Sequence, residues 1–284
     1  MHRRTLSACL TAALMLLLPT SAVFAGQTPA KGGSAALPAY PFPAVGVGAH
    51  FLRSDERVRV TETPDAWRFA PPVGAKPPAA AAGPVALVFC PGGGVEPTAY
   101  APVMRQVAAA GGFPVYLLKF PPPGGASVEE QKRDGVARVK ALVTGAARAA
   151  GTRWVVAGHS LGGAIAARFV RENPALAAGL VLVATTHPRD FDLSDFARPV
   201  TRVHGTLDGV ASLDQAKRNA LLLPPHTRFV TVEGGNHAQF AWYGTQPGDR
   251  PATIERRAQQ HALVTALADT LRRSADGAAA ARPE

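Results

Sequence analysis

From residue 84 onward, short apolar runs alternate with longer segments in which apolar and polar residues are mixed. Six runs are apolar almost throughout and are bounded by glycine, proline or polar residues, which is typical of buried strands. They cover residues 85–90, 114–120, 153–158, 179–185, 200–205 and 228–234. We predict that these runs are the strands of one sheet.

The segments between the runs have the mixed pattern of helices that bury one face. The predicted helices cover residues 98–111, 127–151, 161–173, 213–223 and 253–273. Strands that are apolar on both faces and are separated by helices indicate a parallel sheet covered on both sides. The predicted fold class is therefore α/β, with a doubly wound, mostly parallel sheet in a single domain over residues 46–274.

The ends of the chain have a different composition. Residues 1–25 combine a basic start, an apolar stretch and small residues at Val23 and Ala25, which predicts a secretory signal peptide cleaved near Ala25. A lipoprotein signal ending at Cys9 is disfavoured because the apolar stretch mostly follows that cysteine. We predict a flexible leader over residues 26–45, an antiparallel hairpin within residues 57–72 and a disordered tail over residues 275–284.

Charge and cysteine content narrow the possible functions. The chain has 30 Lys and Arg against 20 Asp and Glu, but the basic residues are scattered and form no run of five. A nucleic-acid-binding protein more often has a basic stripe with interleaved aromatic residues, so we expect no nucleic-acid partner. After cleavage Cys90 alone remains, in an apolar run, so we predict a buried thiol and no intramolecular disulfide.

The sequence Gly158-His159-Ser160-Leu161-Gly162 lies where a predicted strand gives way to a predicted helix. A G-x-S-x-G sequence at such a junction is typical of a strained turn that exposes a nucleophilic serine, with glycines that leave room for the backbone. An ordinary tight turn is the alternative. We predict that Ser160 is a nucleophile.

A serine hydroxyl requires a base to become a strong nucleophile. In folds of this class, an acid and then a histidine follow the serine along the chain, each after a strand. Asp208 and His237 satisfy that order, and their loops lie with Ser160 at the carboxyl ends of the strands. Alone, Asp208 could be a turn residue and His237 a cap or surface residue. Asp190, Asp192, Asp195, Asp214, His159, His187, His204 and His226 are the weaker candidates.

The loop after the first buried strand reads Pro91-Gly92-Gly93-Gly94. Glycines allow a backbone to approach a reacting carbonyl closely, so we predict an oxyanion hole made by the N–H groups of Leu161 and Gly93, with Gly94 as the next candidate. A plain glycine turn is the alternative. No spacing of His, Cys, Asp and Glu suggests a metal site, and we expect no cofactor.

These segments, together with "EGGNHAQFAWYGTQPGD" at residues 233–249, resemble the α/β-hydrolase superfamily over about residues 50–272. The nearest resemblance is to a compact branch grouped with dienelactone-hydrolase-like proteins, although those use a cysteine nucleophile where this chain has Ser160. The resemblance implies a hydrolase with a Ser160–Asp208–His237 triad. The connection between the strands at 179–185 and 200–205 is too short for a large cap, so we predict an open site. Its predicted walls include Tyr100, Phe120, Phe240, Trp242 and Tyr243.

The combined prediction is a secreted or periplasmic serine hydrolase acting on small-molecule carboxylic esters through an acyl-enzyme on Ser160. Amide or thioester cleavage, acyl transfer, and a non-catalytic binding protein on the same fold remain open. The sequence predicts no stable membrane insertion, and it leaves the oligomeric state, the acyl group and the alcohol open.

Overall fold

The computed structural model describes residues 39–75, 83–145 and 151–277. In these residues the centre of the fold is an eight-stranded sheet with the order β1-β2-β4-β3-β5-β6-β7-β8. The strands are β1 (Arg59–Glu62), β2 (Ala66–Ala70), β3 (Val85–Cys90), β4 (Val115–Leu118), β5 (Arg153–His159), β6 (Ala177–Val183), β7 (Val200–Gly205) and β8 (Arg228–Val232). All six predicted strands are present; two match the predicted ends, and the others shift by at most two residues at either end.

Strands β3 to β8 pair in parallel, whereas β1 and β2 form an antiparallel hairpin whose second strand pairs antiparallel with β4. The predicted hairpin and the mostly parallel sheet are therefore confirmed. Because the parallel strands share one direction, their carboxyl ends form a common edge on which the loops after β3, β5, β6, β7 and β8 meet.

Five α-helices accompany the sheet in the described residues: α1 (Ala101–Gly111), α2 (Val128–Thr144), α3 (Leu161–Glu172), α4 (Leu213–Arg218) and α5 (Arg256–Ala275). Helix α1 begins later than predicted because Pro97–Tyr100 forms a 3₁₀ turn. Helix α2 begins with a capping box in which Ser127 and Glu130 satisfy each other's backbone N–H groups, and it ends at Thr144.

Strands β3 to β7 are buried on both faces, as the apolar runs predict, whereas the edge strand β8 is mostly exposed and corrects the prediction of a buried strand there. Leu87 and Phe89 of β3 point into a core that includes residues of α1 and α5. Their neighbours Val88 and Cys90 point into the opposite core, which includes residues of α2 and α3. This alternation arises because successive strand residues face opposite sides. The doubly wound α/β architecture is confirmed, and Cys90 is fully buried, as predicted.

The segment before the hairpin corrects part of the leader prediction. Residues 39–45 lie in the predicted flexible leader, yet Phe42 donates its N–H to the Gly94 carbonyl, and Val45 donates to the Trp242 carbonyl. The Ala44 N–H binds the Glu96 carboxylate at 2.9 Å. These bonds hold the segment against the glycine loop, so it belongs to the folded domain. The predicted signal peptide, residues 26–38 of the leader and residues 278–284 of the tail lie outside the described residues.

The connection from β6 to β7 passes through residues 184–199 without a helix, and no large cap covers the sheet edge in the described residues. None of the helices described here is long and apolar enough to cross a membrane.

Candidate active site

Ser160 connects β5 directly to α3 in a strained backbone conformation, with φ 54° and ψ −119°. A non-glycine residue rarely adopts a positive φ, and such strain is concentrated at functional sites. The glycines on either side explain how the turn fits. A Cβ on Gly158 would lie 2.1 Å from the Gly162 carbonyl oxygen, and one on Gly162 would lie 2.1 Å from that of Cys90. The turn therefore tolerates no side chain at either position.

Asp208 and His237, which come from the loops after β7 and β8, are brought together by the sheet. The Nδ1 atom of His237 lies 2.9 Å from Oδ2 of Asp208, and both side chains are fully buried. The other carboxylate oxygen, Oδ1, accepts the N–H groups of Val210 and Ala211 at 2.9 and 2.7 Å. A carboxylate held in this way orients the imidazole so that Nε2 is left to react.

The Nε2 atom of His237 is buried and has no hydrogen-bond partner among the described residues. The His237 ring packs against the ring of His159, the residue before Ser160, with 4.5 Å between the ring centroids. No hydrogen bond joins Ser160 to His237 within the described part of the chain. Bonds between a nucleophile and its base are often long in proteins without substrate, so the arrangement is compatible with a base beside the nucleophile.

The weaker acid candidates lie elsewhere. Asp190 is exposed on the rim of the cleft that contains Ser160, Asp192 binds the Ser194 N–H, and Asp214 lies in the first turn of α4. Asp195 lines a different cavity, beside Phe196. None of these four bonds to His237 in the described structure.

The other histidines have different partners, and one of them, His204, also lies near Asp208. His204 is buried, and its Nε2 lies 2.5 Å from the Ala211 carbonyl oxygen and 3.5 Å from Oδ2 of Asp208. Burial is the main cause that lowers the pKa of His204. His187 lines the cleft, and burial followed by the nearby Arg189 and Lys132 lowers its pKa to about 4. His226 is half-buried, and its Nε2 donates to the Arg198 carbonyl oxygen.

The residues predicted as oxyanion donors line the cleft that contains the proposed nucleophile. Gly93, Gly94 and Leu161 line the same cleft as Ser160, and the volume of this cleft is about 730 Å³. Leu161 is the first residue of α3, so its N–H has no carbonyl partner within the helix. A Cβ on Gly93 would lie 2.8 Å from Cδ2 of Leu161, which shows how closely the glycine loop packs on the start of that helix.

The cleft contains a second strained residue. Ala184, directly after β6, has φ 46° and lines the cleft with Ser160. The sequence contained no signal for this strain, since nothing in "LVLVATT" requires a positive φ. A neighbouring cavity of about 480 Å³ shares Gly93, Gly94 and Leu161 with the cleft and continues beneath the proline-rich loop at 120–126.

The predicted aromatic walls require a correction. Tyr100, Phe240 and Tyr243 are completely buried and do not line the cleft, because their rings pack in the core behind the elbow. Trp242 is half-buried and donates its indole N–H to Gln260 at 3.0 Å, away from the cleft. Phe120 lines the neighbouring cavity instead. The prediction of Tyr100, Trp242 and Tyr243 as substrate contacts is therefore wrong for this structure.

Asp249 is a residue of the site that the sequence reasoning missed. Its Oδ1 accepts the N–H groups of Gly209 and His237, each at 3.1 Å, and its Oδ2 accepts that of Ala238 at 2.9 Å. One carboxylate therefore joins the loop of Asp208 to the loop of His237. The available signal was the acid in "TQPGD", a turn-forming stretch close to the histidine segment.

Two further observations concern cysteine-based and metal-based chemistry. Burial raises the pKa of the Cys90 thiol far above its usual range, so it is not an activated nucleophile. Across residues 39–75, 83–145 and 151–277, no three His, Cys, Asp or Glu side chains are grouped so that they could bind a metal ion.

Comparison with known proteins points to one family. A sequence model of the alpha/beta hydrolase family matches residues 86–261. No curated protein matches the chain in sequence. Among solved structures, a predicted CIB-like hydrolase from Thermoplasma acidophilum is similar with a TM-score of 0.52 at 14% identity, covering 75% of this chain and 99% of the other.

Two esterase structures are similar to the same extent. A thermostable esterase from Pseudomonas putida has a TM-score of 0.51 at 12% identity, covering 80% of this chain and 84% of its own. An esterase/lipase from an uncultured bacterium has a TM-score of 0.51 at 14% identity, covering 78% and 87%. At these identities the likeness concerns the fold.

Proposed function

The chain belongs to the alpha/beta hydrolase family, and we propose from this premise that it is a serine hydrolase that cleaves carboxylic esters. The observation that carries the proposal is the strained Ser160 at the β5–α3 junction, since a serine is held at φ 54° only where the surrounding structure enforces it. The buried Asp208–His237 pair and the glycine loop support it, because they supply a base and backbone donors at the same sheet edge.

In the proposed mechanism, Oγ of Ser160 attacks the ester carbonyl carbon while Nε2 of His237 takes its proton. Asp208 stabilises the imidazolium that forms, through the bond at Nδ1. The carbonyl oxygen becomes an oxyanion, which the N–H groups of Leu161 and Gly93 stabilise. When the intermediate collapses, His237 returns the proton to the departing alkoxide and Ser160 keeps the acyl group.

Water then repeats the sequence on the acyl-enzyme. His237 removes a proton from the water molecule as it attacks, a second tetrahedral intermediate forms, and Ser160 leaves with the proton returned by His237. Esters are proposed ahead of amides because an alkoxide is a better leaving group than an amine. The open cleft of about 730 Å³ supports a small-molecule substrate.

The first test is covalent labelling of the protein and of its Ser160→Ala variant with a fluorophosphonate, with the labelled peptide identified by mass. We expect label on Ser160 only, and none on the variant. An Asp192→Ala variant, which removes an acid outside the proposed triad, is the matched control and should label like the wild type. A folded wild-type protein that resists the probe would contradict the proposal and favour a binding protein on this fold.

A second test separates the possible reactions. p-Nitrophenyl esters of increasing acyl length are incubated with and without an added alcohol, and the products are separated. Free acid as the main product supports the hydrolase. A new ester as the main product would instead identify an acyltransferase with the same triad.

We also propose that the protein is exported, because residues 1–25 have the composition of a signal peptide. Amino-terminal sequencing of protein recovered outside the cytoplasm should begin near Gly26. Recovery of intact chain from the cytoplasm alone would contradict this part of the proposal.

A further inference from the structure

His159 occupies the variable position of the elbow, yet its surroundings are specific. The side chain is almost completely buried at the end of β5. The centroid of its ring lies 4.5 Å from that of His237, and the rings of Tyr100, Phe240 and Tyr243 lie farther away, at 5.8, 6.0 and 6.4 Å. A polar ring in such a place requires partners for both nitrogens.

Both nitrogens have partners. Nδ1 lies 2.8 Å from the Tyr100 hydroxyl, and Nε2 lies 3.2 Å from the main-chain carbonyl oxygen of His237. A carbonyl oxygen only accepts, so Nε2 must carry the hydrogen. Burial lowers the pKa of His159 well below its usual range, so the ring is neutral and Nδ1 is bare. The Tyr100 hydroxyl therefore donates to Nδ1.

The Tyr100 oxygen has one more partner, since it accepts the N–H of Gly92 at 3.0 Å. Gly92 precedes the proposed oxyanion donor Gly93. A Cβ on Gly92 would lie 3.0 Å from both His159 Nδ1 and the Tyr100 hydroxyl oxygen. The glycine at this position thus leaves room for the two polar groups, although its own φ does not require glycine.

The bonds form one directed chain, from the Gly92 N–H to Tyr100, from Tyr100 to His159, and from His159 to the His237 carbonyl. The chain begins in the glycine loop and ends in the loop of His237, and both loops must keep their positions during the proposed reaction. We infer that His159 is a positioning residue that ties the oxyanion loop to the backbone of the base, beneath the nucleophile. The inference rests on the proposed roles of Ser160 and His237.

A role in packing alone makes a different prediction. A buried aromatic ring of similar size would then serve equally well, and only the two hydrogen bonds would be lost. The positioning role requires a group that accepts from Tyr100 and donates to His237. Glutamine has both in one amide, whereas phenylalanine has neither.

The test compares His159→Phe, His159→Gln and Tyr100→Phe with the wild type on one p-nitrophenyl ester, at a temperature where circular dichroism shows each to be folded. We expect kcat to fall by about 10- to 100-fold in His159→Phe, with KM changed by no more than about twofold. Glutamine should recover a large part of kcat. Tyr100→Phe should fall in the same direction and shift the pH profile of kcat.

The double variant His159→Phe/Tyr100→Phe tests the chain itself. If the two residues act through one chain, the loss in the double variant is smaller than the product of the single losses. Wild-type kcat and an unchanged pH profile in both single variants would overturn the inference. Independent losses that multiply would overturn it as well.

A measurement without turnover keeps the inference separate from the proposed function. The ¹⁵N spectrum of the wild-type protein should show His159 protonated at Nε2 alone between pH 6 and 8, about the range in which an ordinary histidine titrates. Protonation at Nδ1 would overturn the inference whether or not any ester is cleaved. Conversely, failure of fluorophosphonate labelling would defeat the proposed function and leave this spectrum unaffected.

Discussion

The two sides of the cleft differ in how closely they are packed and in how their side chains are held. On the inner side, behind Ser160, the glycines of the elbow have no free space, and Asp208, His237 and Asp249 are held by hydrogen bonds between loops. On the outer side, Val128 and Val210 are exposed, and Arg189 bonds to nearby Thr186. The inner side is organised before a substrate arrives, whereas the outer side leaves room for different substrates.

Under the proposed function, this comparison predicts that the inner side determines whether the reaction occurs and that the outer side determines which ester is used. Preorganised donors and bases lower a barrier because they need not reorganise during the reaction. Exposed side chains on the rim contribute binding to the substrate and to the transition state alike, which affects KM more than kcat.

The largest effect is expected at the elbow. In Gly162→Ala the new Cβ would lie 2.1 Å from the Cys90 carbonyl oxygen and 2.4 Å from that of Pro91, and neither backbone atom can move alone. We expect a loss of about 3 kcal/mol or more in the free energy of unfolding, measured by urea denaturation. Gly244→Ala is the control, because nothing lies within 4 Å of its Cβ position. Equal stability of both variants would contradict the tight inner side.

The next effect is expected at Asp249, which joins the loops of the acid and the base. Asp249→Ala leaves the N–H groups of Gly209, His237 and Ala238 without their acceptor. We expect kcat to fall by about 10- to 100-fold because small displacements of a base are costly. Asp249→Asn can keep the contacts of Oδ1, so its loss should be smaller.

The control for Asp249 is Asp192→Ala, which removes an acid that accepts hydrogen bonds from Ser194 in its own loop. It should retain wild-type kcat. If Asp249→Ala and Asp192→Ala have the same steady-state kinetics, the bridge between the two loops has no role in the reaction.

The sequence predicted most of the fold because the strands are apolar on both faces, and a run such as "VALVFC" has few alternatives inside an α/β domain. The errors lie at element ends. Pro97 begins a 3₁₀ turn where a helix start was predicted, and residues 39–45 looked unstructured by composition but pair with residues distant in sequence. Contacts of that kind leave no periodic signal.

The site was predictable to the extent that its members follow a fixed order after strands. Asp208 and His237 were predicted in this way, and in the structure Nδ1 of His237 lies 2.9 Å from Oδ2 of Asp208. Asp249 and Ala184 were missed because their roles depend on which loops meet at the sheet edge. The aromatic residues were misplaced for the related reason that Tyr100 and Tyr243 face the core, and a sequence alone does not separate core from cleft.

A smaller effect is expected on the pH dependence of stability. The pKa of His187, at the cleft, is lowered to about 4, mainly by burial. Between pH 6.5 and 4 the unfolded chain binds a proton there that the folded chain does not. Stability should therefore fall as the pH decreases through this range. Burial also lowers the pKa values of His159 and His204, so they act in the same direction.

This prediction is checked by urea midpoints at pH 7 and pH 5. The wild type should lose stability on acidification, and His187→Gln should lose less, because it lacks one of the groups that the unfolded chain protonates. His226→Gln, which changes a half-buried histidine that does not line the cleft, is the control. A slope unchanged by His187→Gln would show that the cleft histidine titrates like a solvated one.

The smallest effect is expected on the outer side. Val128 and Val210 are 56% and 39% exposed and line the cleft, so serine at either position removes apolar surface that a substrate can cover. We expect KM for long-chain esters to rise by up to about fivefold with kcat retained, since one lost apolar contact is worth about 1 kcal/mol. Val73→Ser, at a residue that is 82% exposed and does not line the cleft, should change neither constant. A fall in kcat after substitution of Val128 or Val210 would mean that the outer side is as finely organised as the inner one. That result would contradict the separation in which the inner side sets kcat and the outer side sets KM.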